Sequence, residues 1–222
     1  MKTKVLNLYA GIGGNRKLWE NVEVTAVELN PELAKIYSDY FPNDYVIIDD
    51  AHKYLEKHFE SFDFIWSSPP CRSHSKFRKN ITCNVEPGKG IGYSDPIYPD
   101  LMLYEEIIFL QHYFKGKYVI ENVQAYYDPL VKPQQLSRHW FWCNFILPQK
   151  YFKPSLEIQG CSIKKYGFDL SKYKISRRKK GQSRTEVTEK DQAIKNCVDP
   201  DLGKYVFDMA YHVKQNKIMN YV

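Results

Sequence analysis

Short apolar runs alternate with helically spaced apolar positions along the first half of the chain. Val5-Leu6-Asn7-Leu8 closes a run over residues 4–8 that reads as a strand. A glycine turn follows, Gly11-Ile12-Gly13-Gly14, and then a short predicted helix through Leu18 and Trp19. Val22 to Val27 reads as a second strand. Pro31 suits a helix start, where its fixed φ and missing N–H are harmless. Leu33, Ile36, Tyr37 and Tyr40 continue from it at helical spacing. Tyr45 to Ile48 predicts a third strand, His52 to Phe59 a helix and Phe62 to Trp66 a fourth strand. This alternation predicts an α/β fold, a parallel sheet with helices on both faces.

The rhythm stops between Cys71 and Pro99, a stretch holding Gly88, Gly90, Gly92, Pro87 and Pro96. Connections of this length without their own structure are usually functional or disordered. Leu101 to Phe114 returns to helix, and Lys117 to Ile120 is the next strand. Trp140 to Leu147 is β-like in composition, Pro148 to about Glu189 has no clear period, and residues 191–216 read as helix broken near Asp199-Pro200.

A length of 222 residues fits one core domain with a small appendage. No apolar run approaches the roughly 20 residues of a membrane helix. Met1-Lys2-Thr3-Lys4 leads directly into a strand, so no signal peptide is expected. Five cysteines without C-x-x-C spacing point to a reducing cytoplasm, and away from a disulfide framework or a bound metal. The formal charge of +6 is concentrated: Lys164 to Arg184 holds nine basic residues and one acid, +8, which leaves −2 on the rest. Tyr166, Phe168 and Tyr173 lie among these charges. Such a patch reads either as a nucleic-acid contact surface or as a solvated loop.

The candidate chemistry lies where strands end. Gly11, Gly13 and Gly14 allow a tight turn and close approach of a ligand to the backbone. Glu28, just past the second strand, is placed to bind ribose hydroxyls, and Asp50 holds the equivalent place after the third strand. Cys71 follows the fourth strand on two prolines, Pro69 and Pro70, which stiffen the turn that presents its thiol. Glu121 ends the apolar strand Tyr118-Val119-Ile120, where partial desolvation favours a proton near neutral pH. Arg138 precedes the aromatic strand His139-Trp140-Phe141-Trp142 and offers a fixed cation.

In this order, the residues resemble the DNA cytosine-5 methyltransferase family. The likeness runs through Tyr9-Ala10-Gly11-Ile12-Gly13-Gly14, Glu28, Asp50, Pro69-Pro70-Cys71, Glu121-Asn122-Val123, Gln134 and Arg138, and ends at Asn196-Cys197-Val198-Asp199-Pro200. It implies a Rossmann-like, S-adenosylmethionine-dependent methyltransferase sheet over residues 1–147 and 191–222, with a small basic target-recognition region at 148–190. S-adenosylmethionine would lie against Tyr9, Ala10, Gly11 and Gly13. Glu28 and Leu29 would meet its ribose side, Asp50 and Ala51 its adenine, and Pro70, Leu103, Asn196 and Val198 would complete the pocket. Cys71 would attack C6 of a cytosine flipped from double-stranded DNA, Glu121 would act at N3 and Arg138 at O2. Arg72, Ser75, Arg177, Arg178, Lys179 and Lys180 would contact the nucleic acid. A monomer of a bacterial or phage-infected cell, beside a restriction enzyme, fits this picture.

The chain departs from the family at Arg72, where a glutamine is usual, and at Leu136, which replaces the first arginine of a Gln-x-Arg-x-Arg pattern. The interval from Val123 to Gln134 is also short for the family, too short for the helix and strand usual there. RNA as the methylated polymer is the alternative substrate. A relative that binds nucleic acid without turnover is the non-enzymatic alternative.

Overall fold

The computed structural model describes residues 1–76, 98–152, 164–173, 175 and 189–211. Seven strands form one sheet in the order β3-β2-β1-β4-β5-β7-β6. They are β1 (Thr3–Leu8), β2 (Val22–Val27), β3 (Tyr45–Ile47), β4 (Phe64–Ser67), β5 (Lys117–Val123), β6 (Gln134–Leu136) and β7 (His139–Cys143). The helices are α1 (Pro31–Tyr40), α2 (Ala51–His58), α3 (Met102–Tyr113), α4 (Glu189–Lys195) and α5 (Pro200–Ala210). The fold is α/β and Rossmann-like, as the alternation predicts.

Three expectations need correction. The sheet is mixed, because β7 runs antiparallel to both β5 and β6. Ser137 and Arg138 alone join β6 to β7, and so short a link permits only an antiparallel pair. Ser137 takes a φ of 56°, the left-handed conformation that tight hairpin turns demand. Glu121, for its part, lies inside β5 rather than at its end. Asn122 and Val123 go on pairing with Trp140 and His139. The short helix expected before Trp19 is a 3-10 turn, Asn15–Leu18.

The strand period of two divides the core between the faces. Val5, Phe64, Trp66, Val119 and Phe141 pack with Trp19 and the α5 residues Leu202, Val206 and Phe207. Leu6, Leu8, Ile65 and Ile120 face Leu55 of α2 and Leu103, Ile107 and Leu110 of α3. Asp199 accepts from Asp201 N and caps α5, whose first residue is Pro200. That cap explains the break in the C-terminal helical pattern.

The C-terminal helices return to the start of the chain. Trp19 Nε1 donates to Gly203 O at 3.2 Å, and a Cβ on Gly203 would stand 2.6 Å from Asn15 O. Part of the segment expected to recognise nucleic acid also joins the core. A short hairpin of β8 (Lys164–Lys165) and β9 (Phe168–Asp169) brings Phe168, Leu170 and Tyr173 onto Ile12 and Ile36. Tyr40 Oη both donates to Asp169 O at 3.1 Å and accepts from Asp169 N at 2.6 Å.

Candidate active site

The parallel strands β1, β2, β3, β4 and β5 all end at one edge of the sheet, and the expected residues gather there. After β1 the backbone turns through Tyr9, Gly11 and Gly13 at φ values of 54°, 56° and 86°. Each glycine serves a different need. A Cβ on Gly13 would strike Phe41 and Tyr37, and one on Gly14 would stand 2.5 Å from Val198 O. A Cβ on Gly11 would meet nothing within 4 Å. The turn is closed on the side of the C-terminal segment and open at Gly11.

Glu28 stands beside that opening. Its two carboxylate oxygens accept separately from Gly11 N and Asn30 N, each at 2.8 Å. Burial raises its pKa above the usual carboxylate range, and these backbone donors pull the other way. Leu29, next in the chain, is 67% exposed. Asp50 caps α2 by accepting from Lys53 N at 3.1 Å, and Ala51 behind it is buried. The donor set fits a nucleoside cofactor: an acid held by the glycine turn, an exposed apolar side chain and a second acid one strand along.

A buried glutamate underlies this region. Glu106 of α3 is 0% exposed and accepts from Tyr9 Oη at 2.5 Å and Ser67 Oγ at 2.6 Å, with His52 Nδ1 at 3.2 Å. It ties β1, β4 and α2 together from below. Its signal in the sequence is an acid among Leu103, Tyr104, Ile107 and Leu110 on the apolar side of a helix.

Cys71 opens a 3-10 turn, Cys71–Ser73, directly after the Pro69-Pro70 pair. Its carbonyl accepts from His74 N and Ser75 N, both at 3.0 Å. The turn is strapped to β5 and to the chain that follows it. Asn122 Nδ2 donates to Pro69 O at 3.1 Å, Tyr126 N donates to His74 O at 3.1 Å, and Ser75 bridges to Ala125. His74, 1% exposed, holds Tyr127 Oη through Nδ1, and burial lowers its pKa. Cys71 is half-buried. Its thiol pKa is raised, first by burial and then by the negative charge of Glu121.

Glu121 is buried, and its Oε1 faces His139 Nδ1 in a short contact. Arg138 is exposed on the β6–β7 turn and makes no hydrogen bond or ion pair with another described residue. Leu136 is fully buried in the core. Sequence reasoning did not single out His139, though it shares a strand face with Phe141 beside Arg138.

Pro70 and Arg72 are exposed, and Ser75 is half-buried. Leu103 is buried in the core under α3, and Val198 is buried against the glycine turn. Asn196 is exposed and accepts from Gln192 Nε2 at 2.6 Å. Gln134 is a structural clasp, donating to Phe145 O at 2.6 Å and accepting from Leu147 N at 2.8 Å. Arg177, Arg178, Lys179 and Lys180 lie outside the described residues.

The sequence model for "C-5 cytosine-specific DNA methylase" matches residues 3–125, more than half of the 222. The chain belongs to this family. A C-5 cytosine methylase is a methyltransferase, and the matched span carries the glycine turn, Glu28, Cys71 and Glu121. No curated protein matches the chain. Among solved structures, a DNMT2 mutant from Spodoptera frugiperda is 24% identical, covers 55% of this chain and 36% of its own, and gives a TM-score of 0.36. A hypothetical protein of Thermus thermophilus is 16% identical, with 64% and 74% covered and a TM-score of 0.43. A SAM-dependent methyltransferase from Agrobacterium tumefaciens is 14% identical, with 57% and 40% covered and a TM-score of 0.38. Among the described residues of this methylase, no helix is long and apolar enough to cross a membrane. Nor does any group of His, Cys, Asp and Glu there stand together as metal ligands.

Proposed function

We propose that the chain is a DNA (cytosine-5)-methyltransferase that uses S-adenosylmethionine and works through a covalent Cys71 adduct. The observation that carries this reading is that Asn122, the residue after Glu121, donates to Pro69 O at 3.1 Å and so holds the Cys71 turn against the strand that carries the acid, in a chain of the C-5 cytosine family. Cys71 follows β4, and Glu121 lies within β5, its parallel neighbour.

Glu28, Leu29, Asp50 and the open side of Gly11 would hold S-adenosylmethionine, with Tyr9, Ala10, Gly13, Ala51, Pro70, Leu103, Asn196 and Val198 around it. The cofactor supplies an electrophilic methyl group on a sulfonium. A cytosine must leave the duplex to reach Cys71, since its ring atoms are inaccessible in the stack. The Cys71 thiolate adds to C6 while Glu121 delivers its proton to N3. Electron density then rises at C5, the carbon that is methylated. Once C5 has lost its proton to water, N3 returns its proton to Glu121, the C6–S bond breaks, the C5–C6 double bond returns and Cys71 leaves as the thiolate. Glu121 therefore affects Cys71 twice. As a carboxylate it opposes thiolate formation, and once protonated it removes that opposition. Arg138 would close on O2 from the β6–β7 turn, with Arg72, Ser75 and the basic run Arg177, Arg178, Lys179 and Lys180 on the phosphates.

The test is mechanism-based trapping. Duplex DNA carrying 5-fluorocytosine, with S-adenosylmethionine, should form a denaturation-resistant adduct with the wild-type protein and none with Cys71→Ser. An adduct with fluorinated RNA alone would transfer the reaction to RNA. No adduct with either polymer would sink the covalent reading.

A further inference from the structure

The partner of Glu121 follows from strand register. In the β5–β7 pair, Glu121 lies opposite Phe141 and Val123 opposite His139. All four side chains share one face, and a diagonal pair on such a face is within reach of long or ring side chains. His139 spans that diagonal and meets Glu121 Oε1 through Nδ1. Its ring lies beside Phe141, centroids 6.2 Å apart, and Phe141 is fully buried. The Glu121 side chain is 8% exposed and that of His139 22%, so the contact is largely shielded from water.

The other cationic group of this hairpin does not compete. Arg138 is exposed on the turn, and the position two residues earlier is Leu136, which packs with Trp19 and Phe64. Among the described residues, the group bonded to the Glu121 carboxyl is therefore His139 from β7. Oε1 is taken by the ring, and Oε2 receives no hydrogen bond from a described residue.

We infer that His139 is the positioning residue of the acid: its Nδ1–H holds Glu121 Oε1 so that Oε2 is the oxygen turned to the cytosine. This rests on the proposed action of Glu121 at N3. An acid clamped at one oxygen and backed by a buried ring presents the other in a single orientation. Misplacement of such a group by about 1 Å costs on the order of 10²-fold in rate.

Two readouts test it. In single-turnover methyl transfer, His139→Ala should lose on the order of 10²-fold in rate constant with little change in KM for the nucleic acid. His139→Asn places an amide nitrogen near the position of Nδ1 and should recover most of that loss. Wild-type rate in His139→Ala, or an Asn variant as slow as the Ala variant, would overturn the inference. Independently of turnover, 15N NMR of labelled histidine reads the tautomer. Nδ1 should carry the proton in the wild type, and Glu121→Leu should release the ring to the Nε2–H form. A wild-type ring already in the Nε2–H form would also overturn it. An Nδ1–H ring in a protein that methylates neither DNA nor RNA would uphold the pairing and count against the reaction assigned to the site.

Discussion

Asn122 Nδ2 donates to Pro69 O at 3.1 Å, so β5 holds the turn that carries Cys71. Asn122 is buried, and its Oδ1 also accepts from Val123 N at 2.9 Å. One side chain thus satisfies the backbone of two neighbouring segments.

Replacing Asn122 with Leu keeps most of the volume and leaves Pro69 O and Val123 N without these partners. Each unsatisfied buried group costs about 1–3 kcal/mol. Chemical denaturation should show a loss in that range, and trapping by 5-fluorocytosine should slow. A variant as stable as wild type with unchanged trapping would remove Asn122 from the positioning of Cys71.

The Cys71 thiol pKa is raised, first by burial and second by Glu121. Alkylation of Cys71 should therefore be slow at neutral pH and accelerate as pH rises, because the thiolate is the reactive form. Glu121→Gln removes the smaller of the two causes and should speed alkylation at neutral pH only in part. Peptide mass spectrometry separates Cys71 from Cys143, whose thiol burial pushes up to about 12. Equal rates for wild type and Glu121→Gln would mean that the two groups do not sense each other.

Gly11 and Gly14 separate binding from folding. Alanine at Gly14 would bring its Cβ to 2.5 Å from Val198 O and should lower stability by about 1–3 kcal/mol, as overpacking does. Alanine at Gly11 meets no atom within 4 Å and bears mainly the left-handed φ of 56°, about 1–2 kcal/mol. Its methyl enters the open side of the turn, so calorimetry should show weaker S-adenosylmethionine binding. Unchanged affinity in Gly11→Ala would move the cofactor away from this turn.

Two histidines give opposite pH dependences. The hydrogen bond to Glu106 raises the His52 pKa above 6.5, against a smaller opposing effect of burial. Its stabilisation is complete below 6.5 and is lost as pH climbs through the raised value. Burial lowers the His74 pKa from 6.5, so its contribution is present above 6.5 and is lost as pH falls through the depressed value. The stability advantage of wild type over His52→Gln should shrink towards alkaline pH, and that over His74→Phe should shrink towards acid. Denaturation curves across the neutral range measure both, and differences that do not vary with pH would contradict the assignment.

Local chemistry makes much of the site legible in the chain. The glycine turn, Glu28, Asp50 and Cys71 each follow a strand whose apolar run is visible in the residue order. Parallel strands then deliver their ends to one edge. Glu121 is legible as a residue but not in its place along the strand, because β5 continues only by virtue of its pairing with β7. Glu106 is legible only as an acid on an apolar helix face and His52 not at all, because such an acid acquires its meaning from the three groups that converge on it.

The sequence by itself determined the alternation of strand and helix, the family and the positions after successive strands at which Glu28, Asp50 and Cys71 fall. These depend on residue type and on spacing within one element. Tertiary structure alone decided that β7 turns antiparallel, that Val198 closes on Gly14 and that His139 rather than Arg138 meets Glu121. Those contacts join residues brought together by register and helix docking, and no local period along the chain encodes which partner a face will meet.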